Sequence, residues 1–128
     1  MTTDAKIGLV LLLEDDRRSA EALAMLLDDW GYECIHGPNF EAALPAVRDR
    51  VGEVRAFISD YHLQDGATGI EAALMAVEHG ITAPVLLLTG TLHGAARQAA
   101  GLAGYRFMEK PVAPERLKAW LDKALQPA

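Results

Sequence analysis

Apolar residues along the chain alternate between short continuous runs and longer segments with helical spacing. The first run extends from Ile7 to Leu13, and a continuous run of this kind is typical of a strand covered on both faces of a parallel sheet. The next segment, from Asp16 to Trp30, is predicted to be a helix, with Asp16 as its N-cap and Gly31 just past its end. The apolar residues that define this helix are Ala20, Leu23, Leu27 and Trp30.

The rest of the chain repeats this alternation. Four further strand patterns lie in the segments YECIH, VRAFIS, PVLLLT and YRFME. The helix that follows Asn39 contains Pro45, which removes an interior hydrogen bond and is expected to kink or shorten the helix. The third helix is predicted from Thr68 to His79, and the last from Pro114 to Leu125. Their apolar stripes, expected to face the core, consist of Ile70, Leu74 and Val77 in the third helix and of Leu117, Leu121 and Leu125 in the last.

The segment LHGAARQAAGLAG predicts a fourth helix, between the fourth and fifth strands. Because Ala and Gly bury little surface and Gly costs extra backbone entropy, this helix is expected to be the most mobile element.

Five strands alternating with five helices predict an α/β fold with a doubly wound, flavodoxin-like parallel sheet. Right-handed crossovers limit the possible topologies, and the strand order 2-1-3-4-5 is the natural candidate. Such sheets bind ligands beyond the carboxyl ends of their strands, where the winding reverses.

Length and composition favour a single domain over residues 1–128, with an ordered core from about residue 7 to residue 125. The chain has 128 residues, of which 51% are apolar, enough to fill one core. Its net charge of −6 and pI near 5.1 argue against nucleic acid as a partner. The single cysteine, Cys34, excludes an internal disulfide, and no Cys/His spacing indicates zinc. The first apolar run is too short for a signal core or a membrane span, so a cytoplasmic protein is expected.

Polar residues suited to chemistry follow the predicted strands. In the predicted topology the first, third, fourth and fifth strands are neighbours, so side chains at their carboxyl ends can converge although they are distant in sequence. These residues are Glu14, Asp15 and Asp16 after the first strand, Asp60 after the third, Thr89 after the fourth and Lys110 after the fifth.

The acids among these residues predict a magnesium site. Carboxylates brought within roughly 5 Å repel one another by about 3 kcal/mol per pair at an effective dielectric near 20, and a cation relieves that cost. Oxygen ligands without imidazole or thiolate suit Mg²⁺, which also favours a phosphate oxygen in its shell. Asp60 could then attack phosphorus as a nucleophile. Lys110 supplies a positive charge and Thr89 a hydroxyl for the phosphoryl oxygens.

The motifs LVLLLEDD, FISDYHL, VLLLTG and FMEKPV resemble those of the receiver domains of two-component response regulators. The resemblance extends from about Ile7 to Leu125. The loop SDYHLQDGATGIEA is closest to that of receivers attached to hybrid sensor kinases. The resemblance implies signalling without classical enzyme activity: a histidine kinase or a histidine phosphotransfer protein donates a phosphoryl group, and a downstream protein binds a surface formed by the fourth helix, the fifth strand and the fifth helix.

The resemblance also implies a role for individual residues. Glu14, Asp15, Asp60 and the backbone carbonyl of His62 would bind Mg²⁺, and Asp60 would accept the phosphoryl group. Thr89 and Phe107 would act as switch residues, Lys110 would pair with the phosphoryl group, and the bond from Lys110 to Pro111 would be cis. His62 and Thr91 occupy positions that influence loss of the phosphoryl group.

Several alternative interpretations remain at this point. Asp60 alone could end a strand in an Asx turn, and the acids after the first strand could simply favour the positive end of the first helix, which suits Asp16 best. The chain could be a constitutive binding module that is not phosphorylated. A flavodoxin-like cofactor protein would need a Gly- or Ser/Thr-rich phosphate loop after the first strand, whereas this chain has EDDRRS.

Overall fold

A computed structural model describes residues 6–90 and 105–125. The strands form one parallel sheet in the order β2-β1-β3-β4-β5, as predicted. Four α-helices lie within the described residues. The predicted fourth helix and Thr91 lie outside them. In chain order the elements are β1 (Leu9–Leu13), α1 (Arg17–Asp29), β2 (Glu33–Gly37), α2 (Phe40–Val47), β3 (Val54–Asp60), α3 (Gly69–Glu78), β4 (Val85–Thr89), β5 (Arg106–Glu109) and the C-terminal helix (Pro114–Ala124).

Strand β1 is buried along its whole length and divides the core into two layers. Leu9, Leu11 and Leu13 belong to the cluster that includes residues of α2 and α3. Val10 and Leu12 belong to the cluster that includes residues of α1 and the C-terminal helix. Successive side chains of a strand point to opposite faces, so this division confirms a sheet covered on both sides.

The first helix begins as its sequence predicts. The Asp16 carboxylate accepts hydrogen bonds from the backbone N–H of Arg18 and the hydroxyl of Ser19, both at 3.1 Å. The bond from Arg18 satisfies a backbone donor that the first turn of a helix leaves unpaired. Asp16 therefore has the N-cap role that separates it from its two acidic neighbours.

Pro45 lies inside α2, and this helix is short, as predicted. The helix extends only from Phe40 to Val47 and passes into a 3₁₀ segment, Arg48–Glu53. Because proline has no backbone N–H to donate, the hydrogen-bond ladder is interrupted close to the end of the helix.

The prediction that the apolar stripe of α3 with the larger side chains faces the core is wrong. Leu74 and Val77 are 54% and 57% exposed, while the buried face of the helix consists of small residues. That face lies against the sheet, and a Cβ atom added to Gly69 would lie only 2.8 Å from a side-chain carbon of Leu87. The close approach of helix and sheet leaves no room for large side chains. The buried residues of α3 are Gly69, Ala72, Ala73 and Ala76.

Within residues 6–90 and 105–125, no helix has both the length and the apolar character that crossing a membrane requires.

The thiol of Cys34 on β2 is expected to react slowly in the folded protein. Burial raises its pKa from 9.0 to about 11, so the thiolate, which is the reactive form, is about a hundredfold scarcer at neutral pH. Alkylation by iodoacetamide should be at least that much slower in buffer than in urea, and its rate should increase with pH. Equal rates in buffer and urea would contradict this burial.

Candidate functional site

The sheet register brings the ends of β1 and β3 to the same level. Leu13 of β1 is paired with Ser59 of β3, so Glu14 and Asp60 follow as neighbours at the carboxyl edge of the sheet. The carboxyl ends of β4 and β5 lie next along this edge. The backbone N–H of Lys110 donates to the Thr89 carbonyl at 2.7 Å, which continues the pairing of these two strands past the end of β5.

Three predicted metal ligands converge at this edge. Glu14, Asp15 and Asp60 each offer a carboxylate oxygen, and these oxygens lie within 4.8 Å of one another. Glu14 is buried, Asp60 is partly buried and Asp15 is exposed. The cluster is therefore open to solvent on the side of Asp15 and closed on the side of Glu14.

Lys110 connects two of these acids. Its ammonium lies 2.7 Å from Oε2 of Glu14 and 3.2 Å from Oδ2 of Asp60. The side chain of Glu14 has no exposed surface, whereas that of Lys110 retains 24%. One ammonium group thus pairs with two carboxylates. Together, Lys110 and the three acids of the cluster carry an excess of negative charge.

Burial and charge have opposite effects on the pKa values of Glu14 and Lys110. Burial raises the pKa of Glu14, although hydrogen bonds from Lys110 and from the backbone N–H of Asp16 oppose the effect. Burial disfavours the charged form of Lys110, but the hydrogen bond to Glu14 and the charge of Asp60 outweigh it and raise the pKa of the ammonium. The lysine is therefore held in its charged form beside the acids.

The donor set fits a small, hard divalent cation. Oxygen ligands without thiolate or imidazole favour Mg²⁺. An octahedral ion with ligand distances of about 2.1 Å holds its ligand oxygens about 3 to 4 Å apart, so these side chains need little movement to reach it. Glu14 is the most restricted of them, because its Oε1 already accepts from the Asp16 N–H at 3.1 Å and its Oε2 accepts from Lys110. Asp15 and Asp60 offer the more accessible oxygens.

The backbone of Asp60 is held in place by its neighbours. Its carbonyl oxygen accepts a hydrogen bond from the buried Ser59 hydroxyl at 2.9 Å. A Cβ atom added to Gly69 would lie 2.6 Å from the same oxygen, so only glycine fits there without movement. The Asp60 backbone is thus fixed from β3 and from the start of α3. The sequence interpretation missed the role of Ser59.

The loop after β3 leaves the His62 carbonyl available. A bridge between His62 and Thr68 closes this loop, but its two hydrogen bonds use the carbonyl of Tyr61 and the N–H of Leu63. Within the described part of the chain, no hydrogen bond to the His62 carbonyl is found. This arrangement is compatible with the predicted metal contact, which stays a prediction.

The two predicted switch residues lie on neighbouring strands. Thr89 is buried at the end of β4. Phe107 is half-buried on β5, and its ring centroid lies 6.3 Å from that of Tyr61. The ring centroid of Tyr61 also lies 4.8 Å from that of His62. Tyr61, which the sequence interpretation did not single out, therefore joins the loop after Asp60 to β5.

His36 is a second residue whose contact was not predicted. Its Nε2 lies 2.9 Å from the backbone carbonyl of Glu14. In the sequence, only the position of His36 near the end of β2, which adjoins β1, could have indicated its contact with the Glu14 carbonyl.

Comparison with known proteins identifies similar solved structures. No family model and no curated protein matches the chain. Among solved structures, a putative response regulator from Chloroflexus aurantiacus is 28% identical with a TM-score of 0.79, and the match covers 92% of this chain and 97% of that one. The receiver domain of the hybrid histidine kinase CckA is 26% identical with a TM-score of 0.74, covering 93% and 100%. The chemotaxis protein CheY4 of Vibrio cholerae is 24% identical with a TM-score of 0.77, covering 91% and 98%.

The sheet order and these neighbours define a receiver fold, the fold of response regulators. The resemblance seen in the sequence motifs is therefore confirmed, including the similarity to a hybrid-kinase receiver. The bond from Lys110 to Pro111 is cis, as the resemblance implied.

Proposed function

We propose that the protein is a phosphorelay receiver in which Asp60 accepts a phosphoryl group in a Mg²⁺-dependent step. The observation that carries this proposal is the convergence of three carboxylates with one lysine at the carboxyl edge of the sheet. An Asx turn alone would not require the other acids or Lys110 beside Asp60. The donor would be a phosphohistidine of a histidine kinase or of a phosphotransfer protein.

The proposed reaction transfers the phosphoryl group from nitrogen to oxygen. A carboxylate oxygen of Asp60 forms a bond to phosphorus while the bond from phosphorus to the imidazole nitrogen breaks, and the imidazole leaves with the bonding electrons. The product on this chain is an acyl phosphate. Mg²⁺ held by Glu14, Asp15, Asp60 and the His62 carbonyl would offset charge on the transferring oxygens. Lys110, already 3.2 Å from Asp60, would pair with a phosphoryl oxygen.

Phosphorylation would then change a protein-binding surface. The new negative charge competes with Glu14 for Lys110, and the Thr89 hydroxyl would bind another phosphoryl oxygen. Phe107 and Tyr61, whose rings lie beside each other, would repack in response. A local charge change of this kind biases an equilibrium between two conformations. The downstream partner would contact the fourth predicted helix, β5 and the C-terminal helix.

Acetyl phosphate provides a direct test of the proposed function. Incubation with acetyl phosphate and Mg²⁺ should add the mass of one phosphoryl group to the intact protein. The Asp60→Asn variant should gain none, since it lacks the nucleophilic carboxylate, and EDTA should abolish labelling of the wild type. Asp49→Asn is the matched control, because Asp49 is an exposed acid outside the site, and it should be labelled like the wild type. Equal labelling of Asp60→Asn and the wild type would refute the proposal.

A further inference from the structure

A cleft of about 590 Å³ lies between β5 and the C-terminal helix. Its cations are Arg106 on β5 and Arg116 and Lys123 on the helix, and its apolar lining includes Met108 and Trp120. We call this feature the basic cleft. The cleft includes Arg106, the first residue of β5. It therefore extends toward the amino edge of the sheet, whereas Asp60 lies at the carboxyl edge.

The charges of the basic cleft are not neutralised within the described part of the chain. Arg106, Arg116 and Lys123 are exposed, and no ion pair or side-chain hydrogen bond is found for them there. No acidic residue is among the described residues that line the cleft. This is notable because acids outnumber lysine and arginine by 18 to 12 in the chain. The cleft is thus a local positive surface on an acidic protein.

The cations are spread along a line. Arg116, Trp120 and Lys123 have helical spacing and lie on one face of the C-terminal helix, with the aromatic ring between the two charges. At 1.5 Å per residue, Arg116 and Lys123 are about 10 Å apart along the helix axis. An extended peptide of about three residues spans the same distance. Charges spaced in this way suit an extended acidic chain better than a single phosphate, which needs converging donors.

We infer that the basic cleft binds an acidic protein segment that carries an apolar side chain. The acidic residues of the partner would pair with Arg116, Lys123 and Arg106, and its apolar side chain would pack against Trp120 and Met108. Trp and Arg are the residue types that most often dominate the energy of protein interfaces. This inference names the chemistry of the partner, and it rests on the proposed function only in so far as phosphorylation controls the binding.

A short fluorescein-labelled peptide of alternating glutamate and leucine is the probe, and fluorescence anisotropy measures its binding. The double variant Arg116→Glu/Lys123→Glu should weaken binding by about tenfold or more, because each change replaces attraction by repulsion. Lys118→Glu is the control, since it reverses one positive charge on the same helix at a residue that does not line the cleft. It should alter binding by less than about twofold. Added salt should weaken binding by the wild type.

The inference would be overturned by the absence of saturable binding, by equal binding to the wild type and the double variant, or by equal binding of a peptide with lysine in place of glutamate. Self-association of the chain through the cleft, or preferential binding of single-stranded DNA there, would also count against it. Labelling by acetyl phosphate in the same samples separates the two proposals. Loss of labelling with intact peptide binding contradicts only the proposed function. Loss of peptide binding with intact labelling contradicts only the inference about the basic cleft.

Discussion

Lys110→Ala should destabilise the metal-free protein by about 3 kcal/mol at neutral pH, measured by urea unfolding. Removing one partner of a buried ion pair leaves an uncompensated charge, which typically costs about 3 to 5 kcal/mol. The lower end applies here because Lys110 retains 24% exposure and water can partly replace it. Glu14, whose side chain is fully enclosed, would carry most of this cost.

The pH dependence of this loss has a defined sign. Burial already raises the pKa of Glu14, and without Lys110 the pKa should rise further. A carboxyl group with a raised pKa in the folded state favours folding when protonated, and this contribution disappears as pH rises through the folded-state pKa. The deficit of Lys110→Ala should therefore be small in acid and complete at neutral pH. Adding Glu14→Gln to the variant should recover much of the lost stability.

Lys118→Ala is the control for the effect of removing a lysine. Lys118 pairs with Asp122 at 3.2 Å, but both side chains are about half exposed, and such pairs contribute about 0 to 1 kcal/mol. Equal losses of stability in Lys110→Ala and Lys118→Ala would contradict the buried pair.

Gly69→Ala should both destabilise the fold and slow labelling of Asp60. The added methyl group would lie 2.6 Å from the Asp60 carbonyl oxygen and 2.8 Å from a carbon of Leu87. Overpacking of this kind typically costs about 1 to 3 kcal/mol, and relief requires movement of the Asp60 backbone or of α3. The free energy of unfolding and the rate of labelling by acetyl phosphate measure the two effects.

Gly52→Ala separates this contact from the general effect of losing a glycine. A Cβ atom added to Gly52 meets no atom within 4 Å, so this variant should keep its labelling rate. Reducing the flexibility of the unfolded chain should leave its stability equal to or slightly above that of the wild type. A Gly69→Ala variant with wild-type stability and labelling would show that the close approach to Asp60 is not a constraint.

The alternation of patterns along the chain was sufficient to predict the sheet and its order. Continuous apolar runs such as Leu9–Leu13 favour a strand covered on both faces, and right-handed crossovers then restrict the order. Alpha-helix α3 shows where the pattern misled. It carries two apolar stripes, and the prediction chose the larger side chains of Ile70, Leu74 and Val77. The close packing on the sheet selected the small ones instead.

The candidate site was predictable where its residues follow strands directly. Glu14, Asp60 and Lys110 converge because parallel strands end at one edge. The hydrogen bond from Ser59 to the Asp60 carbonyl depends on the rotamer of the Ser59 side chain. The close approach of Gly69 to the same oxygen depends on the distance between two backbones. Neither could be predicted from spacing in the sequence. The tilted contact between the rings of Tyr61 and Phe107 likewise depends on side-chain orientation.

Reduction with borohydride after treatment with acetyl phosphate and Mg²⁺ tests the central claim most directly. Borohydride converts an aspartyl phosphate to homoserine, and peptide mass spectrometry then locates the modified residue. The account predicts homoserine at position 60 and unmodified acids at positions 14 and 15. Homoserine at position 15, or none anywhere despite Mg²⁺, would contradict the assignment of Asp60 as the phosphoryl acceptor.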